Sequence, residues 1–169
     1  MDDERSGRPS TAVDYIAETR ATYDALGYPP YRWVASTDDP PLATLTKPLA
    51  ESRVALIASG GIYRAGQIAF HFKDDASYRV IPTDTPTEEL RATHFAYDLR
   101  DARRDINVVF PIDTLRGLAR DGVIGGMTDR AYTFMGGIYS TRKVREELTP
   151  ALRDRVIEDG ADVVLLVPV

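Results

Sequence analysis

Two stretches constrain the fold more than any other feature: Val54-Ala55-Leu56-Ile57-Ala58 and Val163-Val164-Leu165-Leu166-Val167 run without a polar residue at alternate positions. An unbroken apolar run of this length, rich in β-branched and aliphatic side chains, is the pattern of a strand covered on both faces. That burial is typical of a parallel sheet sandwiched between helices. The first run passes straight into Ser59-Gly60-Gly61, the form of a βα turn, and the second is released by Gly160 and passes into Pro168-Val169. Parallel sheets place their chemistry at the carboxyl ends of their strands, so the two tails are expected to share one edge.

The segments between these runs alternate with helical patterns. Asp113 reads as the cap of a helix carrying Leu115, Leu118 and Ala119 on one stripe, with Gly122 as its stop. Ser140 or Thr141 opens another helix, and Thr149-Pro150 supplies a cap and a first-turn proline ahead of Leu152, Val156 and Ile157. Tyr78-Arg79-Val80-Ile81 reads as a short strand ended by Pro82, whereas residues 62–78 read as irregular and 94–107 as a surface or site loop. The expectation is an α/β fold of the Rossmann or flavodoxin-like kind, a mostly parallel sheet with flanking helices.

Ahead of it, Val13, Ile16, Ala17, Arg20, Tyr23 and Leu26 keep helical spacing behind a Ser10/Thr11 cap, and residues 1–10 read as a loose terminus. Gly27 and the prolines Pro29, Pro30, Pro40, Pro41 and Pro48, with Tyr28, Tyr31 and Trp33, make the segment after this helix an extended arm. The expected division is therefore 1–49, an N-terminal helix and Pro-rich arm, and 50–169, an α/β domain that is incomplete at its C-terminus.

Composition removes several function classes. A net charge of -5, with no basic block longer than Arg103-Arg104, is wrong for tracking phosphates, so nucleic acid is not an expected partner. No stretch approaches the roughly 20 apolar residues of a membrane span, and Met1-Asp2-Asp3-Glu4 lacks the order of a secretory signal, which together point to the cytoplasm. The 169 residues contain no cysteine and only two histidines, His71 and His94, without ligand spacing, so neither a metal site nor a thiol nucleophile is expected within them.

Two groups of residues carry chemical potential. Ser59, Gly60 and Gly61 can offer backbone N–H groups to a carboxylate, since glycine lets a ligand approach the main chain, although a glycine pair after a strand is also an ordinary tight turn. His94, followed by Asp98 and by Asp105 and Asn107, forms a polar cluster in which a carboxylate-oriented imidazole can serve as acid or base. Against this stands the solvated or structural histidine, and a solvated face for the aspartates and arginines of 98–105.

Taken in order, Val54 through Gly61, Ser77 through Pro82, His94 with Asp98, Asp105 through Asp113, Gly122-Val123-Ile124-Gly125 and Tyr132 through Gly137 form a series. In that order they resemble the selenoprotein B family, the B components of glycine, sarcosine and betaine reductases and the related D-proline reductase subunit, over roughly residues 50–169. The resemblance implies a selenocysteine, or a cysteine, directly after a strand like Val163–Val169, beyond the last residue here, so that the chain reads as ending just before its nucleophile and as inactive alone. It further implies a partner subunit bearing a pyruvoyl group that activates an amino acid or amine substrate, a thiol or selenol carrier protein, and reductive C–N cleavage. Ser59, Gly60, Gly61, Asp105 and Asn107 would then bind substrate, with His94 a possible acid or base. The competing expectation is a non-catalytic small-carboxylate-binding or assembly subunit of the same fold. An exposed final strand would make the chain self-associate, and a homo-oligomer is within expectation.

Overall fold

The computed structural model describes residues 14–32, 35–41 and 43–169. The chain divides into two compact units, Met1–Leu42 and Ala43–Val169. In the first, helix α1 (Tyr15–Ala25) begins at Asp14, whose Oδ1 accepts the Ile16 and Ala17 N–H groups at 3.1 and 3.0 Å. The expected Ser10/Thr11 cap, the loose terminus and Trp33 lie outside the described residues. Gly27 closes the helix at φ 71°, and the Tyr23 ring meets those of Tyr28 and Tyr31 edge-on at 5.9 and 5.7 Å.

The second unit is a mixed α/β structure built on a mostly parallel sheet. Its centre is β1 (Arg53–Ala58). Along one side β1 pairs in parallel with β7 (Val163–Val167), in register from Val54↔Val163 to Ala58↔Val167. Along the other side it pairs first with β5 (Gly126–Met127) and then with β6 (Arg130–Thr133), both parallel. β3 (Arg79–Pro82) closes that side antiparallel to β6, and β2 (Ile62–Arg64) with β4 (Leu90–Ala92) forms a separate antiparallel pair.

Alternation along β1 divides the core. Val54, Leu56 and Ala58 face a cluster with Ile106, Phe110, Ile112 and Leu115, which come from the region of α2 (Leu99–Arg104) and α3 (Ile112–Arg120). Ala55 and Ile57 face Tyr132, Leu148, Leu152 and Val156. The latter three come from one continuous helical run: α4 (Thr141–Lys143), a π-helical turn (Val144–Leu148) and α5 (Thr149–Glu158). Ser140 caps it, and Gly160 ends it at φ 67°. Helices thus cover both faces of β1, and full burial of a side chain such as Leu56 stabilises the fold by about 2–3 kcal/mol.

Four expectations need correction. The final run is not buried on both faces: β7 lies at the sheet's edge, with Val164, Leu165 and Leu166 at 38, 37 and 65% exposure. Residues 62–78 are not wholly irregular, because Ile62–Arg64 pairs with Leu90–Ala92. The stretch 94–107 holds a helix, α2, capped by the Asp98 carboxylate accepting the Arg100 N–H. Asp113 is not the cap of α3: Pro111 occupies that position, and Asp113 sits in the first turn. Among the described residues, no helix is long and apolar enough to cross a membrane.

Candidate functional site

The in-register pairing of β1 with β7 brings the two tails together. The Ser59 N–H donates to the Val167 carbonyl at 3.0 Å, and the Ser59 hydroxyl accepts the Val169 N–H at 2.9 Å. The loop after β6 approaches the opposite flank, where the Gly61 N–H donates to the Phe134 carbonyl at 2.9 Å and the Gly136 N–H to the Ser59 carbonyl at 2.8 Å. Ser59, Phe134, Gly136, Leu166 and Val169, with Ile57 as the floor, line a cavity of about 400 Å³.

These bonds change the expectation for the turn. The backbone donors of Ser59 and Gly61 are already committed, so of the three turn residues Gly60 alone has an N–H without a hydrogen-bond partner among the described residues. Gly60 is buried, and a Cβ added there would lie 3.0 Å from Val109 Cβ and 3.4 Å from Val169 Cγ2. Gly61 stands at φ 69°, and a Cβ there would lie 1.9 Å from the Thr93 carbonyl oxygen. Glycine is required at Gly61 both by conformation and by the closeness of another backbone.

His94 reaches this turn from the segment after β4. It is 5% exposed and its ring packs against Phe95 at 5.6 Å and Tyr97 at 4.8 Å, while the Tyr97 hydroxyl donates to the Gly60 carbonyl at 2.8 Å. Burial lowers the imidazole pKa below its ordinary value, so the ring is neutral near pH 7. The expected orienting carboxylate is elsewhere: Asp98 is exposed and bonds to Arg100, which lowers its pKa to about 2.

Asp105 and Asn107 belong to a different constellation. The Asp105 carboxylate accepts the Asn107 N–H and side-chain amide, both at 3.0 Å. Asn107 Oδ1 accepts the Asp113 N–H at 2.9 Å, and its Nδ2 donates to Asp113 Oδ2 at 3.1 Å. These are bonds that hold the start of α3. Asp105 also lines a separate cleft of about 660 Å³ with Tyr63, Glu88, Arg91, Arg103 and Arg104. That cleft is larger, but the strand-end cavity lies where a parallel sheet presents its chemistry. The structure therefore gathers Ser59, Gly60, Gly61 and His94, and sets Asp105 and Asn107 in another network.

Sequence reasoning gave no site role to Tyr97, Phe134, Gly136 or Val169. The available signal was the Met135-Gly136-Gly137 break: Gly136 abuts Ser59, and a Cβ on Gly137 would lie 2.3 Å from the Phe95 ring. Among the described residues no group of His, Asp or Glu is arranged to hold a metal ion.

The family model for glycine/sarcosine/betaine reductase selenoprotein B matches residues 32–169. The chain is 36% identical over 134 residues to the D-proline reductase subunit gamma of Acetoanaerobium sticklandii, covering 79% of this chain and 55% of that protein. It is 30% identical over 128 residues to the glycine reductase complex component B subunit gamma of Peptoclostridium acidaminophilum, covering 71% of this chain and 28% of that protein. The namesake subunit of Symbiobacterium thermophilum is 35% identical over 104 residues, covering 59% and 24%. The chain thus spans about half the length of the first relative and about a quarter of the others. No solved structure matches it. Relatives of this kind are subunits of multi-component reductase complexes, and on the strength of a match extending from residue 32 to residue 169 the chain belongs to the glycine/sarcosine/betaine reductase selenoprotein B family.

Proposed function

We propose that this chain is the substrate-orienting part of a selenol- or thiol-dependent reductase subunit for reductive C–N cleavage of a small amino acid or amine, of the glycine, sarcosine, betaine or D-proline reductase type. The observation that carries the reading is the in-register ending of β1 and β7 around one cavity, with Ser59 bonded to Val169 and Gly60 against it, in a chain of this family. In the reading, a selenocysteine or cysteine follows Val169, a pyruvoyl-bearing subunit activates the amine, and a thiol or selenol carrier protein receives the product.

The residues at this edge fit such a group. The buried Gly60 N–H has no partner among the described residues and suits an anion, and the apolar lining from Ile57, Phe134 and Leu166 limits water. When present, the chalcogen supplies the nucleophile and the partner's pyruvoyl group the activated amine. The residues of this chain hold the substrate: Gly60 presents its N–H, Ser59 fixes the neighbouring chain end, and Gly61 permits the close approach of Thr93 that brings His94 alongside. Asp105 and Asn107 serve the same reading by holding the start of α3.

A second reading is a non-catalytic small-carboxylate-binding or assembly subunit of the same fold, in which the unpartnered N–H of the buried Gly60 holds a carboxylate. One experiment separates the two: reading the transcript past the Val169 codon, together with the intact mass and selenium content of the protein from its native host. A selenocysteine or cysteine codon in frame, with a matching heavier product, supports the reductase. An ordinary stop codon and a mass of 169 residues support the binding subunit.

A further inference from the structure

Among the described residues, His94 Nε2 is the buried side-chain nitrogen or oxygen that has no hydrogen-bond partner. The other ring nitrogen is committed, because Nδ1 accepts the Ala96 N–H at 3.0 Å. A nitrogen that accepts carries no proton, so a neutral ring must hold its proton on Nε2, and the unpartnered atom is a donor. Buried donors nearly always have acceptors, and one without an acceptor is a place to look for a ligand.

The donor's surroundings are tightly set. The Cδ2 edge of the ring lies 3.6 Å from where a side chain on Gly61 would begin. Phe95 stacks on the ring at an interplanar angle of 20°, and Tyr97 flanks it while donating to the Gly60 carbonyl. Gly60 bridges antiparallel to Met135, and in such an extended residue the N–H and C=O point to the same side. The unbonded Gly60 N–H therefore faces the flank on which Tyr97 stands. The turn after β1 thus holds one buried donor without an acceptor, the Gly60 N–H, and has a second, His94 Nε2, on the ring packed beside Gly61, while Asp98, four residues along from His94, is bound to Arg100.

We propose that His94, through Nε2–H and together with the Gly60 N–H, is a neutral ligand-binding donor for an oxygen of a small carboxylate at the carboxyl end of β1. The inference rests on reading that edge as the substrate site, and it replaces an acid or base role for His94 with a fixed donor role. A neutral donor suits an anionic oxygen because it gives a charge-assisted bond without exchanging a proton with the ligand.

The proposal is tested by nitrogen-15 NMR of the histidine rings and amides of the 169-residue protein, with acetate as the probe. The expected result is a neutral Nε2–H tautomer near pH 7, with acetate shifting the His94 Nε2 and Gly60 amide signals along one saturable curve. His94→Phe should weaken acetate binding about tenfold or more, and His94→Gln, which keeps an amide donor near the Nε2 position, should stay within about threefold of the parent. Should acetate move the Gly60 and Gly61 amides but leave His94 Nε2 in place, the donor role is overturned and the site reading stands. Absence of a saturable shift at either place overturns both. A proton on Nδ1, or a cationic ring at neutral pH, also overturns the donor role, and these readings on the unmutated protein decide the matter even if His94→Phe does not fold.

Discussion

The Ser59 hydroxyl accepts the Val169 backbone N–H across the ends of two parallel strands, at 2.9 Å. Residues far apart in sequence are thereby joined where the sheet opens toward its cavity, and the serine also receives Gly136 from the other flank. Ser59→Ala removes the acceptor for Val169 and keeps the backbone bonds of the turn. Stability should fall by about 1 kcal/mol in urea unfolding, and amide exchange at Val169 should accelerate more than that of Leu56, which follows only the global loss.

Gly61 and Gly122 offer a matched comparison. Both have φ near 70°, but a Cβ on Gly61 meets the Thr93 carbonyl oxygen at 1.9 Å, whereas one on Gly122 meets nothing within 4 Å. Gly122→Ala should cost about 1 kcal/mol, the strain of the left-handed conformation alone, and Gly61→Ala about 3 kcal/mol or more. Equal losses in thermal unfolding would show that the backbone contact at Thr93 contributes nothing.

Acid should weaken the start of α3 through Asp113. Partial burial raises its carboxyl pKa, but bonds from Asn107 and Arg116 outweigh that and leave it below the ordinary 3.8. The folded carboxyl thus binds its proton more weakly than the unfolded one. Its contribution is complete above the ordinary carboxylate pKa and is lost as pH falls through the folded value. Asp113→Asn should reduce stability at pH 7 but leave the difference from the parent smaller at about pH 3, as measured by urea midpoints.

A buried polar knot ties β6 to the end of α5. Tyr132, fully buried, donates its hydroxyl to Asp159 at 2.5 Å, and Arg130 binds the same carboxylate. Asp159→Ala strands the buried Tyr132 hydroxyl and leaves the Arg130 guanidinium with Glu158 alone, 3.5 Å away, and should cost about 2–4 kcal/mol in denaturant unfolding. The double variant with Tyr132→Phe should recover part of that loss, since the hydroxyl is then no longer left without an acceptor.

The open edge of β7 should associate. Leu166 is 65% exposed on an apolar strand that pairs with β1 on one side, a template for pairing with another chain. Sedimentation velocity should show concentration-dependent association that Leu166→Lys reduces without lowering the melting temperature.

How much of the fold was readable from the sequence depended on length and purity of pattern. β1, α3 and the helix closed by Gly160 announced themselves through runs or periods of several residues. β5 and β6 did not, because Gly126-Met127-Thr128-Asp129-Arg130 mixes polar residues and turns within two short strands, and β2 and β4 have three residues each. The exposure of β7 was illegible for a different reason: an apolar run specifies a strand but not whether helices reach both its faces. Ser59, Gly60 and Gly61 could be placed at the carboxyl end of β1 because the strand pattern runs straight into them. That Asp105 and Asn107 bond to the start of α3 was not legible, since closeness in sequence does not say which partners a side chain takes, and Asp98 is a helix cap.

The central strand also dictates a timetable. β1 is made early, yet its neighbours β5, β6 and β7 all come from residues after 125. As synthesis proceeds from the N-terminus, Val54 through Ala58 must wait for residues 126–133 before one side of the strand is filled and for residues 163–167 before the other is. The middle of the sheet is therefore completed last, and a nascent chain arrested before β6 carries its most apolar segment unpaired, a client for chaperones and a slow step in refolding.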